Sequence, residues 1–387
     1  MAFEEERVTQ GLWKIRGCLI VLLAIAGGCA PSPIIPEGRV DIAMRRGDRL
    51  TFLPSTIHGK QGYFAFDTGC SVTALSDVQF RDLPRQRKRV QVDTGSTGGK
   101  LLVNEASPPL WDVGPFRLNN LSVVWLADLS SVSEAAGVKI WGCIGADCFS
   151  SRIVRIDPDV CRISMLPAGT AATADWGTPS NCRARGTWML VPVVVGGQTV
   201  WCNIDTGDGG SVSLPRAVFD KVLKSGESHD DLVATAAGMA DGMTALLPEL
   251  QLFGRKVPGV SISVTDNSYG SVGMGILSRF VLTIDYPRSH VYARRSRSFD
   301  HQDTPERSGI GFVRRNGQVV VAYLESGGAA ERAGAHFADV VLSINGRAMD
   351  SFEFLDEVPD LLSNTPPAYR LVVQRGNRRV EYGFSPE

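Results

Sequence analysis

Two Asp-Thr-Gly triplets, Asp67-Thr68-Gly69 and Asp205-Thr206-Gly207, are the residues of this chain best suited to chemistry. Two carboxylates brought close together cannot both ionise cheaply. Such a pair shares one proton and offers a base and an acid side by side, able to take a proton from water while giving one to the group that the water attacks. A glycine after each threonine lets backbone approach the carboxylates closely. A third triplet, Asp93-Thr94-Gly95, overlaps the run GSTGGK. That run is one residue short of a phosphate-binding loop, and Leu101 stands where the magnesium-binding hydroxyl belongs, so nucleotide chemistry is set aside. The five histidines form no HExxH and no serine sits in a nucleophile elbow, so neither metal nor serine chemistry is expected.

The elements that must position the triplets repeat along the chain. Residues 58–75 read HGKQGYFAFDTGCSVTAL and residues 196–214 read GGQTVWCNIDTGDGGSVSL, each with a glycine turn (Gly59, Gly197) ahead of an apolar run into the triplet. Downstream, Gly95-Ser96-Thr97-Gly98-Gly99 answers the Gly-rich stretch around Gly238 as a hairpin tip. Gly145 in Cys-Ile-Gly-Ala-Asp answers Gly275, and Asp157 answers Asp285. One unit of about 125 residues therefore occurs twice. Short Val, Ile, Leu and Trp runs broken by Gly, Pro, Asn and Asp predict two mainly antiparallel β lobes, 46–170 and 186–297, joined by a small, polar segment at 171–185. The basic run Arg81 to Val90 reads as a solvated loop or helix.

Paired triplets in matched frames, each followed by a small-residue turn and a hydrophobic strand, with a Gly-rich hairpin between, resemble the aspartic proteases. The resemblance covers about residues 46–297, in a single-chain, two-lobed form built from retropepsin-like units. It implies that Asp67 and Asp205 form a dyad that activates water against a peptide bond, without a cofactor. It also implies that the Thr68 and Thr206 hydroxyls reach across to the opposite lobe, framed by Gly69 and Gly207. Gly95, Ser96, Gly98, Gly99 and Gly238 then belong to substrate-covering flaps, which makes the third triplet part of a flap. Two positions depart from the family: Cys70 and Asp208 stand where serine or alanine is usual. They keep open an alternative, a catalytically inactive peptide-binding adaptor. Because one chain supplies both halves, a monomer is expected.

Residues 298–306 form a polar linker, and composition then changes over 307–387. Ser308-Gly309-Ile310-Gly311-Phe312, a turn at Asn316-Gly317 and the run GGAAERAGAHFADVVLSINGRAM resemble a PDZ domain of the bacterial protease-associated kind. Gly309 to Phe312 would present backbone N–H groups to a polypeptide C-terminus, and the adjoining strand edge would accept the peptide. Short and longer helices are expected at Ala329 to Ala335 and Phe352 to Leu362, and Ala338 stands where glycine often precedes the aspartate.

At the N-terminus, Lys14 and Arg16 precede the apolar run Gly17 to Gly28. Twelve helical residues rise about 18 Å, too short to cross a bilayer, so residues 1–28 read as a signal peptide. Ala26-Gly27-Gly28-Cys29 resembles the lipobox of bacterial lipoproteins. That implies a lipid on Cys29, a tether over 29–45, and export to the periplasmic face of the envelope, at the outer membrane given Ala30. An ordinary cleaved signal is the alternative. Export would leave Cys70, Cys143, Cys148, Cys161, Cys182 and Cys202 in an oxidising compartment, where Cys143 and Cys148 are the nearest candidate pair and Cys70 is expected to stay reduced. The formal net charge of -1 over 387 residues gives no global field for nucleic acid.

Overall fold

The computed structural model describes residues 34–44, 50–94, 99–223, 228–235, 238–303, 308–353, 355 and 368–385. The signal segment, Cys29, Gly95, Ser96, Gly98 and most of the helix expected after Phe352 lie outside them. Among the described residues no helix is long and apolar enough to cross a membrane.

The chain folds into two β lobes of the same topology, a sheet that joins them, and a PDZ-like domain. In the first lobe the strands Phe52–Ile57 and Lys60–Phe66 form a hairpin closed by His58-Gly59, both at positive φ. Gly196-Gly197 close the matching hairpin, Trp188–Val195 with Gln198–Ile204, in the same way. Such two-residue loops match the twist of the flanking strands. Side chains of Lys60–Phe66 alternate, with Phe64 and Phe66 fully buried, and Phe66 stacks on Phe149 at 4.5 Å.

Beyond each hairpin the pairing repeats. Lys60–Phe66 runs parallel to Ile140–Ile144, which pairs antiparallel with Ala74–Ser76, itself parallel to Val124–Ala127. Gln198–Ile204, Gly270–Val272, Val212–Pro215 and Arg255–Thr265 follow the same scheme. Phe66 faces Ile144 in one lobe and Ile204 faces Val272 in the other. This register makes Gly145 equivalent to Gly273, not to Gly275 as the sequence match has it. Both Gly145 and Gly273 cap a short helix, Ala146–Phe149 and Met274–Leu277.

A six-stranded antiparallel sheet sews the lobes together, with Ile153–Asp157 of the first repeat paired to Phe280–Asp285 of the second. The segment between the lobes is more than a connector. Thr178–Ser180 forms the edge of this sheet and Arg183–Arg185 the edge of the second lobe's. The basic run after Arg81 is likewise corrected. Most of it lies in the strand Arg85–Thr94, which forms a hairpin with Gly99–Ala106 and leaves Arg85, Lys88 and Arg89 exposed to solvent. Asp93 and Thr94 of the third triplet are the last residues of the first of these strands. The equivalent hairpin of the second lobe, His229–Thr235 with Gly238–Leu252, brings Thr235 opposite Gly238.

In the C-terminal domain Ile310–Arg315 is the outer strand of a sheet continued by Gln318–Leu324, Val340–Ile344, Tyr369–Arg375 and Arg378–Phe384. The Asn316-Gly317 turn has the expected positive φ at both residues, and a short helix covers Ala329–Arg332. Ala338 adopts φ +66, the left-handed conformation that glycine tolerates best. Next to it the buried Asp339 is gripped by Arg375 at 2.6 and 2.7 Å. Burial alone would raise the Asp339 carboxyl, but the Arg375 and His336 donors hold it below its ordinary value.

Candidate active site

Asp67 and Asp205 each leave the end of a buried strand at the same point of the two sheets. The Asp67 amide donates to Ile144 O at 3.0 Å and the Asp205 amide to Val272 O at 2.9 Å. The two loops then interlock through their threonines, both 1% exposed. Thr206 Oγ donates to Phe66 O at 2.7 Å and accepts from the Thr68 amide at 3.0 Å. Thr68 Oγ donates to Ile204 O at 2.7 Å and accepts from the Thr206 amide at 3.1 Å. Four cross-lobe bonds thus satisfy both threonine hydroxyls, both threonine amides and the Phe66 and Ile204 carbonyls.

The glycines show how near the carboxylates lie to the opposing loops. A Cβ on Gly69 would stand 2.4 Å from the Asp205 carboxyl carbon, and one on Gly207 would stand 2.4 Å from that of Asp67. No larger residue fits either position. Each aspartate packs against the other lobe's glycine, and each carboxyl acts on the other's titration.

The lobes treat the two acids differently. Asp67 Oδ1 accepts from the Gly69 amide at 2.8 Å and the Cys70 amide at 3.0 Å. Asp205 Oδ1 accepts from the Gly207 amide alone, at 2.9 Å, because the Asp208 amide turns to the Asp205 carbonyl. Burial raises the Asp67 carboxyl above its ordinary value. Asp205 is pushed well above it, by burial, then by the charge of Asp67, then by that of Asp208. The two backbone donors on Asp67 favour its ionised form more than the single donor on Asp205 does, and the two acids titrate as a pair.

Cys70 and Asp208 occupy equivalent places, since the Cys70 carbonyl accepts from Ala146 N and the Asp208 carbonyl from Met274 N. The Asp208 carboxylate accepts from Ser271 Oγ and the Gly210 amide, both at 2.7 Å. From there its charge raises both dyad acids. Cys70 Sγ donates to Val72 O at 3.0 Å and lies against Cys143. Cys143 thus faces Cys70, while the Cys148 sulfur is buried 3.2 Å from Thr73 Oγ. The six described cysteines carry free thiols.

Sequence reasoning missed two aromatic residues. Trp188 of the second lobe donates from Nε1 to Gly69 O at 2.8 Å, bracing the first loop from across the cleft. Tyr286 is buried, and burial, then the charges of Asp67 and Asp205, push its hydroxyl up. Nothing in a single Trp or Tyr codon-by-codon marks such a role, although Tyr286 directly follows the repeated Asp285. Beside Asp205 a cavity of about 60 Å³ is lined by Trp188, Asn203, Ser213, Tyr269 and Ser271. A larger cavity of about 360 Å³ lies on the interlobe sheet, among Arg39, Arg155, Arg162 and Trp176, and includes no residue of the dyad loops.

The second lobe's hairpin reaches the first lobe, where Ser131 Oγ, on the helix Ser130–Ala136, donates to Thr235 O at 3.2 Å. That helix also packs against the outer strand of the PDZ-like domain. Glu134 binds Arg315 through both carboxylate oxygens at 2.9 to 3.3 Å, Arg314 donates to Gly137 O, and the Leu355 amide donates to Ala136 O. In the expected carboxylate loop only Gly309 has a positive φ, +63, while Gly311 is the second residue of the strand Ile310–Arg315, at a register shift before Phe312. The Ile310 amide donates to Ser308 Oγ at 3.3 Å.

No family model and no curated protein sequence matches the chain. Among solved structures it is similar to the HtrA3 PDZ domain bound to a phage-derived ligand, with 23% identity over 18% of this chain and a TM-score of 0.16. The chain spans 64% of that structure's length. It is also similar to a retropepsin-like aspartic protease from Rickettsia conorii, with 19% identity, 30% of this chain and 90% of that one covered, and a TM-score of 0.25.

Proposed function

We propose that this chain is an aspartic endopeptidase whose PDZ-like domain binds polypeptide C-termini. The observation that carries the reading is the mutual packing of each aspartate on the opposite lobe's glycine, with the threonines locked between them. That arrangement holds a water between an ionised and a protonated carboxyl. Asp67 takes the water's proton as the oxygen attacks the peptide carbonyl, and Asp205 donates its proton to the carbonyl oxygen. The tetrahedral species collapses as the amine leaves with a proton returned through the dyad. Asp208 sets the pH range: its negative charge raises both acids, so the deprotonation that ends activity on the basic side occurs at higher pH.

A pH-rate profile on a peptide library tests this. The profile is expected to be bell-shaped, with Asp208→Ser moving the basic limb acidward; a limb that stays in place would mean that Asp208 does not act on the dyad. In the C-terminal domain, a peptide acid is expected to bind more tightly than its amide, and equal binding would remove the C-terminus reading. Lipidation of Cys29 and an envelope location belong to the same proposal and rest on the N-terminal sequence; fatty-acid labelling that survives Cys29→Ala would remove them.

A further inference from the structure

We propose that Cys70 and Cys143 form a disulfide that ties the loop after Asp67 to the strand beneath it, with a small-molecule disulfide or a disulfide-bearing oxidoreductase as the oxidant. The observation is independent of the peptidase reading and comes from the internal repeat. Backbone pairing makes Cys70 equivalent to Asp208 and Cys143 equivalent to Ser271. In the second lobe these positions are joined: Ser271 Oγ donates to Asp208 Oδ2 at 2.7 Å, fastening the loop to the strand. In the first lobe both members of the pair are cysteine.

Their sulfur atoms and an Asp67 carboxylate oxygen all lie within 4.8 Å of one another. Two thiols make a poor hydrogen-bonded bridge, because S–H is a weak donor and sulfur a weak acceptor. A covalent bond at about 2.05 Å makes a strong one, and it requires a closing movement of roughly 3 Å at most, shared by two side chains. The other cysteines are engaged elsewhere. Cys148 packs on Thr73, Cys182 donates to Ser289 O at 3.1 Å, and Cys202 is buried in the second lobe with its thiol pushed up to about 12 by burial.

The chemistry balances with glutathione disulfide as the oxidant. One cysteine thiolate attacks a glutathione sulfur, the glutathione S–S bond breaks, and the first glutathione leaves as a thiol with the proton the cysteine lost. The second cysteine attacks the mixed disulfide and expels the second glutathione, which takes the remaining proton. Two protein thiols are oxidised and one glutathione disulfide is reduced. The product links positions roughly 70 residues apart and constrains the unfolded chain accordingly.

The test uses the full chain incubated with reduced or oxidised glutathione, alkylated, digested and mapped by mass spectrometry. Oxidation is expected to give a Cys70–Cys143 cross-linked peptide and a melting temperature several degrees above that of the reduced protein. Cys143→Ser and, independently, Cys70→Ser should each abolish link and shift, and Cys148→Ser should leave both. Full alkylation of Cys70 and Cys143 after oxidation, a Cys143–Cys148 link, or stable glutathione adducts would overturn the proposal. So would a zinc ion found by elemental analysis and lost in Cys70→Ser, which would make the cluster a metal site.

Discussion

Replacing Thr206 with valine keeps the side chain's shape and deletes its hydroxyl. The loss leaves two groups stranded: the Phe66 carbonyl, which accepted at 2.7 Å, and the Thr68 amide, which donated at 3.0 Å. Both lie where the threonines are 1% exposed, so water does not replace the missing partner. Each unsatisfied buried group costs about 1–3 kcal/mol, which places Thr206→Val at about 2–6 kcal/mol. For lobes of this size that is a fall in melting temperature of about 5–15 °C. Thr206→Ser keeps the hydroxyl and should cost less than about 1.5 kcal/mol. Thr68→Val, its counterpart across the pseudo-twofold axis, should cost as much as Thr206→Val. The double variant should cost less than the sum, because each hydroxyl accepts from the other threonine's amide and the two variants perturb one network. Urea titration with the linear extrapolation reads all four. A Thr206→Val cost below about 1 kcal/mol, or equal costs for Val and Ser, would refute the cross-lobe lock.

Three further outcomes follow from single residues. Gly207→Ala places a methyl 2.4 Å from the Asp67 carboxyl carbon and should abolish turnover while costing about 1–3 kcal/mol in stability; wild-type kinetics in this variant would contradict the close approach. Asp205 is held protonated well above its ordinary value, so the native state keeps a proton that the unfolded chain releases, and its contribution to stability falls as pH rises through the ordinary carboxylate range. Asp205→Asn should therefore be more stable than wild type near pH 7 and no different near pH 3, as read by denaturant midpoints at the two pH values; a gap of the same size at both would show that Asp205 is not perturbed. Ala338→Gly relieves the left-handed conformation at φ +66 and should stabilise the C-terminal domain by up to about 1 kcal/mol, measured by thermal unfolding; a destabilisation would mean that this alanine's packing outweighs its strain.

Much of the frame around the two Asp-Thr-Gly loops is legible in the sequence because its residues carry local rules. Turn glycines, Asp-Thr-Gly and an alternating strand such as Lys60–Phe66 specify their own geometry, and repetition doubles the signal. Alignment of the loop glycines is harder. Gly273 and Gly275 both fit the repeat by eye, and only the backbone bonds from Asp205 and Met274 decide for Gly273. Edge strands such as Thr178–Ser180 and Arg183–Arg185 are set by the sheets they join, since neither has hydrophobic alternation of its own. Trp188 and the Cys70–Cys143 contact depend on side chains meeting across elements distant in sequence, which no local pattern records.

The most direct measurement is digestion of a peptide library by the wild-type chain, by Asp67→Asn and by Asp205→Asn, with folding of each checked by circular dichroism. The account predicts cleavage by the wild type and a loss of at least about 10²–10⁴-fold in either variant, since each removes one half of a proton-sharing pair while leaving the threonine lock intact. Cleavage at the wild-type rate by either folded variant would contradict the account.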